Sequence, residues 1–405
     1  MNNRERFLAS MRFQPCDRMP LWELCGFWKE TLDRWHDEGL PQEVSIESAR
    51  IDDGQFEGVG QSSSALRNIP TDIFGYAPFH KERAYHRAKF RRFEDHFGFD
   101  TREILPVNEG PVPAFERRLL AEDCDSVTYL DNWGVTKRSF KTQVSMPGYL
   151  AFPVADRCDF HRIRERFDPT SAERYPADWS ALVSEYGDRD FPLGLSILGF
   201  FAWPRILMGF DCLLMAFYDQ PDLLHEMIDF WCDFLLQFSE RALEELDLDF
   251  VMIGEDMAFN HGPFMSPAHF RRFMLPSYQR LTQRIREHGV DLIIVDSDGN
   301  INALLPDLIE AGVTGIWPLE VQSFMDPVAI HRQYGQDLVM WGGVDKRALA
   351  QGPQAIEAEV RDRILPLVGA GGYIPSVDHF VPPDVPWDHY RYYLDLLKHT
   401  IGYSV

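Results

Sequence analysis

The chain has 405 residues, 45% of them hydrophobic and 13% aromatic, which allows a large core and argues against extensive disorder. Lys and Arg number 40 against 63 Asp and Glu, a formal charge of -23. That balance opposes nucleic-acid backbones and anionic membranes as partners, because each requires a basic face. It leaves room for a small-molecule substrate.

No run of about 18 apolar residues occurs, so no membrane span is expected. The start, Met1-Asn2-Asn3-Arg4-Glu5-Arg6, has mixed charge and no signal-peptide core behind it. Six scattered cysteines (16, 25, 124, 158, 212 and 232) form no CxxC pair and read as reduced thiols of a cytoplasmic protein.

In chain order, Arg4 to Arg12 has helical spacing, with Phe7, Leu8 and Met11 on one side. Met19 to Leu24 reads as a strand carrying Glu23. Trp28 to Glu38 reads as an aromatic-rich helix closed by Gly39. Residues 41–160 are irregular and read as an insertion or subdomain. This stretch holds Gly54, Gly58, Gly60, a Ser62-Ser63-Ser64 run and a basic segment from His80 to Arg92. The turn signal Asn132-Trp133-Gly134 lies between expected antiparallel strands.

From Phe191 the chain alternates. Strands are expected at Phe191–Leu198, Asp249–Gly254, Leu292–Val295, Val313–Trp317, Leu338–Trp341 and Tyr373–Val377, each followed by a helix. Six strand–helix units with room for two more before residue 190 predict a (β/α)8 barrel spanning 1–405 as one domain. An open doubly wound sheet would carry a glycine-rich fingerprint after its first strand, and Trp22-Glu23-Leu24-Cys25-Gly26-Phe27 has none.

Acids stand at the C-terminal ends of these strands: Glu23, Glu255 with Asp256, Asp296 with Asp298, Glu320, Asp345, and Asp378 beside His379. In a parallel barrel those ends surround one mouth, where barrel enzymes place their chemistry. Converging carboxylates repel one another, so a cation, a proton or a basic side chain must offset them. Arg205, Lys346 and Arg347 are candidate counter-charges. Asp296 and Asp298, two apart on one strand face, together with His379 would suit a divalent metal such as zinc, manganese, iron or magnesium. Glu255, Asp256 and Glu320 are the candidate acids and bases. Glu23, Trp22, Trp28, Phe200, Phe201, Arg205 and Asp345 are the candidate substrate-binding residues.

The segments Arg4-Glu5-Arg6-Phe7-Leu8, Asp17-Arg18-Met19-Pro20-Leu21-Trp22, Ser266-Pro267 to Pro276, Gly342-Gly343-Val344-Asp345 and Gly371-Gly372-Tyr373-Ile374-Pro375 resemble the uroporphyrinogen decarboxylase superfamily. The resemblance implies a (β/α)8 barrel and one of two chemistries. One is cofactor-free decarboxylation of porphyrinogen acetates. The other is methyl transfer between a corrinoid and an acceptor, with zinc as the metal and a corrinoid protein as partner. Where the decarboxylases carry an arginine-rich stretch, this chain reads Glu23-Leu24-Cys25-Gly26-Phe27-Trp28. Where the methyltransferases carry His-x-Cys-Gly and a later Cys, it reads Asp296-Ser297-Asp298-Gly299 and His379. The expectation is therefore a divergent, methyltransferase-like branch with a metal held by Asp296, Asp298 and His379. Decarboxylation and a non-catalytic ligand-binding barrel are the alternatives, and a homodimer is compatible with the chain.

Overall fold

The computed structural model describes residues 1–44, 93–141 and 147–403. The glycines at 54, 58 and 60, the serine run and the basic segment to Arg92 lie outside the described residues.

Seven parallel strands form the central sheet, in the order β1 (Glu103–Ile104), β6 (Leu193–Leu198), β7 (Phe250–Gly254), β10 (Ile293–Asp296), β11 (Gly315–Trp317), β12 (Val339–Val344) and β13 (Tyr373–Val377). Four further strands, β2 (Arg118–Glu122), β3 (Ser126–Leu130), β4 (Thr136–Phe140) and β5 (Gly148–Ala151), make a separate antiparallel sheet around the expected Trp133 turn. Asp131 shapes that turn by accepting bonds from the Trp133 and Val135 amides. A small hairpin, β8 (Ala258–Phe259) with β9 (Gly262–Pro263), follows β7 at the mouth.

Strand periodicity sorts the side chains into two cores. Ile293, Val295, Val251, Ile253 and Ile316 face outward into the large cluster shared with the helices. Leu292, Ile294, Phe250, Val339, Trp341 and Ile374 face inward with Trp22, Phe7 and Met11. The inner layer is a filled core, as the fold requires. Helix α1 (Asn3–Met11) plugs its lower end. Phe7 stacks on Trp22 at 5.1 Å and meets Phe250 and Trp341 at 5.6 and 6.0 Å. An Asn2–Glu5 capping box starts this helix.

The expected first strand, Met19 to Leu24, forms no ladder. Its backbone is held largely by side chains instead. Leu21 donates to the Asp100 carboxylate and accepts from the Asp100 amide, Glu23 accepts from Arg102, and Leu24 donates to Ser376. Because Asp100 and Arg102 immediately precede β1 and Ser376 belongs to β13, this segment spans the gap between the two edge strands. The result is a TIM-barrel-like closure around the inner core. A single parallel bridge, Phe27 to Val381, extends it toward the mouth. The helical stretch that follows the β8–β9 hairpin is two helices, Pro267–Phe273 and Leu275–Glu287. Pro276 lacks the amide that would have continued the first helix through this point.

Candidate functional site at the barrel mouth

β10 carries its inward face from Leu292 and Ile294 to Asp296, and the loop beyond it places Asp298 beside the same space. Asp296 is part-exposed. Its carbonyl accepts the Glu255 amide at 2.8 Å. Among the described residues, no group donates a hydrogen bond to its carboxylate. Burial, and then the charges of Asp256 and Asp298, push its pKa well above the ordinary carboxylate range. Asp298 is also raised, by burial first, against the opposing bond from His379. Their contact is His379 Nε2 to Asp298 Oδ2 at 3.5 Å. Burial disfavours the imidazolium, but Asp298 outweighs it, and the His379 pKa rises.

Asp256 has a left-handed backbone, φ 55°, which aspartate tolerates better than most residues. Its Oδ2 accepts Arg205 Nη2 at 2.9 Å. Its Oδ1 faces the Asp298 amide at 3.5 Å. Glu320 Oε2 accepts the Gly299 amide at 2.9 Å and the Ser323 hydroxyl at 3.2 Å, so it fixes the turn that carries Asp298. Asp378 is fully buried and accepts the Val321 and Lys346 amides at 3.0 and 3.2 Å. Burial lifts its pKa to about 6. Lys346 Nζ stands 3.9 Å from Glu320 and 3.8 Å from Asp378, so its charge is shared between them.

Other expected site residues have different surroundings. Glu255 turns its carboxylate away from the mouth, to the start of helix Ala202–Met208. It accepts the Phe200, Phe201 and Ala202 amides at 2.8, 2.7 and 2.9 Å and the Tyr278 hydroxyl. These bonds fill the acceptor positions a carboxylate offers and satisfy amides that a helix start leaves open. Gly199 makes room for this arrangement: a Cβ there would lie 2.0 Å from Glu255 Oε1.

Phe200 and Phe201 are fully buried in the helix-side core, and Trp22 sits in the barrel's inner core. None of the three offers a surface to the mouth, because packing has used it. Asp345 caps helix Lys346–Gln351 and pairs with Arg347 at 2.7 Å. Trp28 is half-buried, with its ring 5.3 Å from Phe380, which in turn lies 5.2 Å from His379.

Glu23 is 6% exposed and accepts Ser376 Oγ at 2.8 Å and the Tyr390 hydroxyl at 3.2 Å. Burial pushes its pKa to about 8, against those two bonds. The folded chain therefore keeps a proton that the unfolded chain releases. Stability is greatest below the unfolded pKa and falls as pH rises through about 8. Glu23→Gln should remove that slope. Urea denaturation at about pH 5 and about pH 8 should show a gap in the parent chain that shrinks by a few kcal/mol in the variant, the remainder belonging to Asp296 and Asp378.

Ser376, Tyr390 and Arg102 complete this end of the mouth and were not among the expected site residues. Ser376 was within reach of the alternation rule, two residues before Asp378 on one strand. Arg102 precedes a two-residue strand that leaves no periodic signal.

The expected metal set does not assemble. Asp298 and His379 meet, but among the described residues no three His, Cys, Asp or Glu side chains form a group that could hold a metal ion. The arrangement is an acid–imidazole pair beside one further carboxyl, too few converging ligands to fit a divalent ion.

A curled sheet of seven parallel strands, its two edges bridged by residues 19–24 and its C-terminal strand ends rich in acids, defines the class: a TIM-barrel-like fold of the enzyme type. The sequence profile described as Uroporphyrinogen decarboxylase (URO-D) matches residues 139–400, and the chain belongs to that family. It is 23% identical to the uroporphyrinogen decarboxylase of Gloeobacter violaceus over 342 residues, covering 78% of this chain and 91% of that one. The Nocardia farcinica uroporphyrinogen decarboxylase is 31% identical over 176 residues, 41% of this chain and 46% of that protein. Among solved structures, a methyltransferase from Methanosarcina mazei shares the fold. Its TM-score is 0.57 at 15% identity, with 98% of this chain and 99% of that chain covered. Among the described residues, no helix is long and apolar enough to cross a membrane.

Proposed function

We propose that the chain is a methyltransferase-type enzyme of this family, which takes a methyl group from a small molecule in the mouth and delivers it to a corrinoid held by a partner protein. The observation that carries this reading is the placement of Asp296: it ends β10 on the inner face of the barrel, has no hydrogen-bond donor among the described residues, and lies in surroundings that raise its pKa and so favour the neutral acid. A carboxyl in that state is a general acid. As the bond from methyl to heteroatom breaks, the Asp296 proton passes to the departing heteroatom, and the methyl group passes to the reduced corrinoid. The acids around it, Asp256 and Asp298, disfavour a polycarboxylate such as a porphyrinogen, because each added negative charge would meet two others. The exposed rings Phe259 and Phe324, 63% and 65% accessible, give the partner an apolar contact at the rim.

The divalent ion expected from the sequence has no part in this mechanism. Decarboxylation is the second reading. It is favoured by the same acid, which could protonate a carbanion after loss of carbon dioxide.

The test is to mix the chain with candidate methyl donors and cob(I)alamin and to follow methylcobalamin by absorbance. Methylation that disappears in Asp296→Asn supports the reading. Carbon dioxide release without methylcobalamin replaces it with decarboxylation, and tight binding with neither product makes the barrel non-catalytic. Elemental analysis of protein purified without chelator belongs beside it. A stoichiometric metal lost in both Asp298→Ala and His379→Ala would restore the metal site.

A further inference from the structure

The acids of the mouth can be matched one by one with positive charges. Asp256 has Arg205 at 2.9 Å. Asp298 has His379 at 3.5 Å. Glu320 and Asp378 share Lys346 at 3.9 and 3.8 Å. Glu23 is bonded by two hydroxyls, with the Arg102 charge close by. Asp296 alone in this set has no counter-charge and no hydrogen-bond donor among the described residues. Lys346 serves two acids with one charge, and Asp296 is the acid that no positive group among the described residues serves, at the position where the substrate is proposed to react.

Two kinds of ligand could supply a positive charge there. A metal ion needs several lone pairs converging on one point, and among the described residues that set is absent. An alkylammonium needs only one carboxylate and an apolar or aromatic wall, since its charge is spread over carbon-bound hydrogens. The wall is present. Trp28 and Phe380, both half-buried, lie tilted against each other with ring centroids 5.3 Å apart, and Phe380 meets the His379 ring edge-on at 5.2 Å, beside the Asp298–His379 pair. The loop that carries them is pinned by the Trp28 amide and the Thr31 hydroxyl, both donating to the Val381 carbonyl.

We infer that the substrate is an N-methyl amine, bound as its ammonium ion with the charged nitrogen on Asp296 and its methyl groups toward Trp28 and Phe380. This rests on the methyltransferase reading and narrows it to nitrogen as the departing atom. In the bound pair one proton lies between the Asp296 carboxylate and the nitrogen. When the carbon–nitrogen bond breaks, its electron pair stays on nitrogen, the proton remains with the amine, and the methyl group goes to the reduced corrinoid.

The test is calorimetric titration of the full chain at pH 7 with trimethylammonium and with 2-(dimethylamino)ethanol. 3-Methylbutan-1-ol serves as the neutral isostere of the second ligand and 3-methylbutanoate as an anionic one. At least one amine should bind about tenfold or more tighter than the alcohol, with the carboxylate weakest. Asp296→Asn should erase the preference. Trp28→Ala should weaken the amine several-fold with an unchanged far-UV spectrum. Equal binding of amine and alcohol, preference for the carboxylate, no binding of either amine, or a preference that survives in Asp296→Asn would each overturn the inference. Amine preference without methylcobalamin formation would sink the methyltransferase reading and leave the ligand class standing. Methyl transfer from an ether with no amine preference would do the reverse.

Discussion

Asp296→Asn should lower kcat/KM by about 10² to 10⁴, the usual worth of a positioned acid, and should at the same time raise the melting temperature at pH 8. The two effects share one cause. Burial, helped by Asp256 and Asp298, raises the Asp296 pKa above its value in the unfolded chain, about 4. Folding therefore carries a growing penalty as pH rises from there toward the folded pKa. Asparagine cannot ionise, so the penalty vanishes with the acid. In the parent chain kcat/KM should be full on the acid side and fall as pH rises through the folded pKa. A variant that loses activity and stability together would mark Asp296 as structural. The paired measurement of a pH–rate profile and thermal melts separates the two.

Glu255→Ala should destabilise the fold by roughly 4 kcal/mol or more. It strands three buried amides and the Tyr278 hydroxyl, each worth about 1–3 kcal/mol when left unpaired. Glu255→Gln keeps one acceptor oxygen and should cost about half as much, with activity within about tenfold of the parent once the folded fraction is allowed for. Urea denaturation with a parallel activity assay checks both. A Glu255→Gln protein that is as stable as the parent and inactive would return Glu255 to the list of acids.

The contrast between these two carboxylates shows what the sequence can and cannot express. Asp296 and Asp298 are legible because a strand alternates: an apolar run followed by acids two apart puts them at one end of one element. The six strands from β6 to β13 that build the barrel wall are legible for the same reason, each a short apolar run closed by a turn. Glu255 looks identical by that rule. Its occupation with the amides of residues 200–202 depends on a helix start more than fifty residues away, and on Tyr278 from another helix. Trp22 and the segment around it fail differently. The composition of a strand is there, but its bonds go largely to the side chains of Asp100 and Ser376 and not to a neighbouring ladder. Local pattern carries no record of such partners. Asp345, by contrast, is an ordinary helix cap, accepting the Arg347 amide.

The plug formed by Phe7 and Met11 has a consequence for the history of the chain. These residues are made well before the surfaces that receive them: Met11 accepts the Trp341 indole N–H, 330 residues away, and Phe7 and Met11 share their core with Ile374 of β13. During synthesis the amphipathic start must wait, unpaired, until nearly the whole barrel has emerged, and contacts of such sequence separation are slow to form. Docking of this early segment on the floor of the barrel must therefore follow synthesis of β12 and β13. The floor closes late, and the acids at the opposite end acquire a fixed wall only when it does.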